Sequence, residues 1–138
     1  MSGGDGYGDD CEKKECFALN VETGTWDRTA LPDLNIARYL HSSLAINNNV
    51  YVVCGTDRSS LLRSIEVLGV RINVHGHISW VSKAWHIFEK QSLTPRSRPL
   101  VAPHTRGLLI YGGCLSGDTL SDGIIIDTAK KAVTCTFE

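Results

Sequence analysis

Few side chains in this sequence are placed for chemistry. His75-Gly76-His77 sets two imidazoles on either side of one glycine. Two histidines are half of a zinc ligand set, and they face one side only where the backbone is extended. A solvated hairpin tip is the expectation there. Cys11 and Cys16 are spaced Cys-x4-Cys, but no second cysteine or histidine pair stands at finger-like spacing, so they also read as structural. Cys54, Cys114 and Cys135 lie in or beside β-rich segments and are expected to act as small hydrophobes. Arg58, Arg63, Arg96 and Arg98 are the candidates for contact with a partner. If their loops share a face, guanidinium forks there would suit an acidic peptide. Arg38 and His41 fall near the start of a strand, where hydrogen bonding within the fold is the expectation. There is no Ser-His-Asp spacing, phosphate-cradling glycine loop or carboxylate pair at helical spacing. No catalytic residue, metal ligand or cofactor site is assigned.

Composition narrows the partners. The 14 basic and 15 acidic residues nearly cancel, and no basic stripe is present, which argues against nucleic acid and anionic membrane. No apolar run approaches the ~20 residues that span a bilayer. Met1 is followed by Ser-Gly-Gly-Asp-Gly, neither basic nor apolar, so no secretory signal is expected. Five cysteines at irregular positions suit reduced thiols and a cytoplasmic location.

The elements that must position these residues read almost entirely as strands. Phe17 to Val21 and Trp26 flank a turn with Gly24. His41 to Ile46 and Val50 to Val53 flank Asn47-Asn48-Asn49, whose side chains tolerate the left-handed conformation of a tight hairpin. Ser64 to Leu68 leads through a turn near Gly76 into Ile78 to Val81. Leu100 to His104 and Leu108 to Tyr111 flank Thr105-Arg106-Gly107, and Gly123 to Asp127 turns at Ala129-Lys130-Lys131 into Val133 to Phe137. Ser82 to Gln91, with Trp85 and Phe88, is the single stretch predicted as helix. The predicted class is all-β, with about four strands in each repeating unit.

A repeat underlies this. Strands end at Gly3-Gly4, Cys54-Gly55 and Gly112-Gly113, so the closing glycines stand at positions 4, 55 and 113. That period lies in the range of propeller and solenoid repeats. A tryptophan follows the glycine at a similar interval in the first copy (4 to 26) and the second (55 to 80). Counted on from Gly113, the same interval reaches Cys135. The step from tryptophan to the next arginine also lengthens, from 26–38 in the first unit to 80–96 in the second. The extra length of the second unit is therefore expected in two loops.

The order arginine, histidine-bearing strand, Tyr-Val-x-x-Gly, glutamate strand and tryptophan resembles the kelch repeat. Its fullest copy is Arg38, His41, Tyr51, Cys54-Gly55, Glu66 and Trp80. A partial copy is Arg96, Tyr111, Gly112-Gly113 and Asp127, and a leading half copy is Gly3-Gly4, Asn20 and Trp26. Cys54 stands for the first glycine of its pair, and Gly69 for a usual aspartate. The resemblance implies a β-propeller of four-stranded blades, divided as 1–34, 35–82 and 83–138, with aromatic residues filling the space between sheets. About two and a quarter units fall short of the about 4–8 blades that close a ring. The chain is therefore expected to be a piece of a longer kelch protein, a truncated product, or one completed by other copies. The resemblance further implies a protein-interaction module, as in adaptors and cytoskeletal proteins. An oxidase or sugar-isomerising propeller, or a nonfunctional remnant, is the alternative. The sequence names no partner.

Overall fold

The computed structural model describes residues 13–72, 74, 78–81 and 84–137. Gly3, Gly4, Cys11 and the His75-Gly76-His77 tip lie outside them. The described residues form strands, turns and loops without a helix.

Alternating side chains build two antiparallel sheets. The middle sheet orders β3 (Ser42–Ile46), β4 (Asn49–Val53) and β5 (Ser64–Ile72), with β6 (Ile78–Trp80) and β7 (His86–Glu89) both paired to β5. The last sheet orders β13 (Ala132–Phe137), β12 (Gly123–Asp127), β9 (Gly107–Tyr111) and β8 (Leu100–His104). A hairpin of β1 (Ala18–Asn20) and β2 (Thr25–Asp27) precedes them, and a small hairpin of β10 (Cys114–Leu115) and β11 (Asp118–Thr119) lies in the β9–β12 connection. The asparagine turn forms as expected: Asn47 and Asn48 take φ of 47° and 58° and alone link β3 to β4.

Strand parity places the core. One face of the middle sheet, with Tyr51, Val53, Ile65 and Val67, packs on Leu108, Ile110, Ile124 and Ile126 of the last sheet. Its other face, with Val52, Leu68 and Trp85, packs on Cys16 and Leu34. Burying one such side chain contributes about 1.5–3 kcal/mol, so the middle sheet is held from both sides.

Backbone hydrogen bonds recur from one repeat to the next. Tyr39 N donates to the Thr56 carbonyl and Ser97 N to that of Cys114. Cys54 N donates to Ser64 and Gly112 N to Asp122, and Leu62 N to Gly55 as Leu120 N does to Gly113. Cys54 and Gly112 share positive φ (58° and 62°), as do Gly55 and Gly113 (92° and 96°). A Cβ on Gly55 would sit 2.7 Å from the Tyr39 carbonyl oxygen, and one on Gly113 2.5 Å from that of Ser97. Glycine is required at the second position for space and conformation, whereas the first tolerates cysteine.

Several expectations are corrected. The stretch predicted as helix holds β7, because His86 to Glu89 completes the open edge of β5 from Ser64 to Val67. The middle sheet therefore runs past the boundary at 82/83. The tryptophan of the middle copy is Trp85 rather than Trp80. Val67 pairs with His86, so the same register sets Leu68 against Trp85, and both are buried in one cluster. The interval from Trp85 to Arg96 also nearly equals that from Trp26 to Arg38. The extra length thus sits in one place, an extension of β5 paired with β6 (Val70 to Trp80, Ile72 to Ile78). In the last copy the equivalent position is Val133, not Cys135. Leu19 pairs with Trp26 beside a turn where Asn20 Oδ1 accepts from the Glu22 and Thr23 amides. Ile126 pairs with Val133 beside a turn where Asp127 Oδ1 accepts from the Ala129 and Lys130 amides. Trp26 itself, expected to fill space between sheets, is 54% exposed.

Candidate functional site

One end of both sheets collects the loops that carry most of the singled-out residues. The segments before β3 and β8 and those linking β4 to β5 and β9 to β12 all meet there, because strands alternate in direction. Cross-bonds tie the two repeats together: Gly55 N donates to the Arg96 carbonyl, Arg96 N to Leu62 and Arg98 N to Leu40.

A buried arginine anchors each repeat. Arg38 Nη1 donates to the carbonyls of Cys54 (2.8 Å) and Ser64 (3.3 Å), and Nη2 pairs with Glu66 Oε1 at 2.6 Å. Arg96 Nη1 donates to Gly112 (2.9 Å) and Asp122 (3.2 Å), and Nη2 pairs with Asp122 Oδ2 at 2.8 Å. The guanidinium thus closes the loop at its two backbone ends. Burial pulls the Arg38 pKa down from its ordinary value, and Glu66 opposes this. Glu66 Oε2 also accepts from the backbone and side-chain amides of Asn35, and Oε1 from Ile36 N, so no carboxylate oxygen is left bare. Breaking such a pair by removing one partner costs about 3–5 kcal/mol, because a buried charge is left uncompensated. Arg38 is a structural residue, as expected, and Glu66 is its partner.

The four candidate arginines do not form one set. Arg96 is fully buried and committed to the fold, so it is withdrawn from the surface group. Arg58 and Arg98 are exposed, and Arg63 is half-buried with Nη1 3.2 Å from Gln91 Oε1. All three lie on the loops of this end. Arg58 rides on a turn built by Asp57, whose Oδ1 accepts from the amides of Ser59 and Ser60 (2.8 Å each). Burial works to raise the Asp57 pKa, yet these bonds outweigh it and hold the carboxyl below its ordinary value. Arg98 takes a positive φ of 51°, matching the 53° of Leu40 at the same place one repeat earlier. His41 abuts Gly55 near the arginine anchor, in the layer where structural bonding was expected.

Two buried cysteines are unsuited to nucleophilic work. Burial pushes the Cys16 thiol up to about 11 and the Cys54 thiol up to about 12, so neither is a thiolate near neutrality. Among the described residues no group of three His, Cys, Asp or Glu is placed to hold a metal ion. A cleft of about 260 Å³ opens at the seam between the sheets, with Tyr51, Phe88, His86 and Lys131 in its walls. The Lys131 ammonium stands 5.8 Å over the Phe88 ring there. No helix among the described residues is long and apolar enough to cross a membrane.

Sequence inspection missed Asp122 and Trp85. The signal for Asp122 was its interval from Arg96, which equals that of Ser64 from Arg38 (96 to 122, 38 to 64). The signal for Trp85 was its spacing to Arg96. No protein-family model matches the chain, and no match was found among curated proteins.

Proposed function

We propose that this chain is a kelch-type repeat region of a β-propeller and serves as a cytoplasmic protein-interaction module. It binds a partner and transforms nothing, and it uses no cofactor. One observation carries this reading: the loops of two successive repeats are pinned at the same end by the Arg38 and Arg96 anchors, and they present Arg58, Arg63 and Arg98 from a rigid base. Rigid loops on a packed scaffold are the usual seat of specificity. Guanidinium groups so held suit carboxylates, and an acidic peptide segment is the proposed ligand class.

Fluorescence anisotropy with labelled Asp/Glu-rich peptides tests the proposal. Binding is expected to weaken with salt and to fall at least tenfold in the Arg58→Ala/Arg98→Ala double variant, since charge-assisted hydrogen bonds are worth about 1.5–3 kcal/mol each. Peptide binding that ignores both substitutions, or no binding at low salt, would sink it.

A further inference from the structure

The repeat geometry dictates what should cover the bare face of the last sheet. Cross-strand pairing aligns Leu100, Tyr111, Gly123 and Phe137 in one row, and Ala102, Leu109, Ile125 and Cys135 in the next. One repeat earlier, the counterparts of Tyr111, Leu109 and Ile125 are Val53, Tyr51 and Val67. Those three are buried against the last sheet. In the next row of the last sheet Leu109 is half-buried and Ile125 buried, but no sheet among the described residues covers the row of Tyr111: Leu100 is 55% exposed and Tyr111 38%, with Tyr111 stacked on Phe137 at 5.8 Å. This row is apolar and carries no charge.

The opposite kind of face is bare at the other end. Leu19 and Trp26 occupy the positions of Ile126 and Val133, which cover the middle sheet, and of Leu68 and Trp85, which meet Cys16 and Leu34. Leu19 is 44% exposed. Each repeat therefore presents one face that covers a preceding unit and one that is covered by the next. Among the described residues one face of each type carries exposed apolar side chains.

We infer that these two faces bind each other between molecules: the β1–β2 hairpin of a second copy packs Leu19 and Trp26 onto Leu100, Tyr111 and Phe137. The contact is head-to-tail, so successive copies extend into a ring if the rotation closes and into a filament if it does not. It reuses the internal packing between repeats, and it stands apart from the loop arginines.

Sedimentation of the full chain, with Trp26→Asp and Tyr111→Asp variants, tests the inference. The wild type is expected to associate with rising concentration. Each variant alone should be monomeric, because each has lost one face. Mixed in equal amounts, they should form a one-to-one dimer that grows no further, since each supplies the face its partner lacks. Both positions are partly exposed, and circular dichroism checks that folding is intact. If Tyr111→Asp unfolds, Leu100→Asp blocks the same row. Self-association of Trp26→Asp at the wild-type level overturns the inference in favour of a face-to-face dimer. A wild type that stays monomeric up to roughly 100 µM, where a micromolar contact is saturated, assigns the face to a different occupant and also overturns it. Neither result touches peptide binding by the loops, which is read separately.

Discussion

Two buried guanidinium groups show how much the acceptor matters. Glu66 is fully enclosed and takes donors at both oxygens, whereas Asp122 retains 29% side-chain exposure and its Oδ1 is buried without a hydrogen bond. The hydrogen bond from Arg96 is the main reason the Asp122 carboxyl sits below its ordinary pKa, opposed by burial. Its folded value is therefore lower than its unfolded one of about 3.9. The ionised form stabilises the fold above that unfolded value, and the stability is lost as pH falls through the folded pKa. Asp122→Asn is expected to lower the urea midpoint at pH 7 and to flatten its decline between pH 5 and 3 relative to wild type. Other carboxyls, among them Glu15, Asp27 and Asp57, are also lowered and remain in both proteins, so the difference between the two curves is the readout. Identical acid slopes would remove Asp122 from the stabilising groups. Arg38 and Arg96 were legible as repeat residues from their spacing. That Arg96 points inward was not, because a guanidinium's burial depends on a carboxylate and carbonyls that only the folded loop assembles.

The outer strand of each repeat carries an aromatic or branched residue at one position, held by Trp26, Trp85 and Val133. The same residue type meets different surroundings. Trp85 is buried against Leu34 and Leu68, with its Nε1 donating to the Pro32 carbonyl at 2.9 Å, while Trp26 meets solvent. Trp85→Ala is expected to destabilise by about 3–5 kcal/mol through the cavity and the orphaned carbonyl. Trp26→Ala should stay within about 0.5 kcal/mol in the monomer. Urea unfolding of both variants at low concentration checks this, and similar losses would refute the difference in their surroundings. Strand pattern and turn chemistry were readable for the Asn47-Asn48 hairpin and for β8, β9, β12 and β13. The returning strand β6 was readable as Ile78 to Val81, but β7 was not. Both strands pair along β5, and Trp85 just before β7 holds the position that spacing assigned to Trp80.

At the scale of the molecule, two apolar clusters share the middle sheet, one on each face. Neither flank can leave without baring strands that the other still covers. Fluorescence of a Trp26→Phe/Trp80→Phe variant, in which Trp85 reports one cluster, and far-ultraviolet dichroism, reporting all strands, should therefore be lost together in urea, as a cooperative unit requires. An earlier fluorescence transition would show that the segment from Lys13 to Arg38 docks independently. The sequence by itself determined the all-β class, most strands, the tight asparagine turn and a repeat of arginine and glycine. These depend on alternation and on local backbone conformation, which neighbouring residues set. Tertiary structure alone decided which arginines are buried, which tryptophan fills the core and which two faces stay bare. Burial belongs to what packs on a side chain from far along the chain, as the exposed Trp26 and the buried Trp85 show.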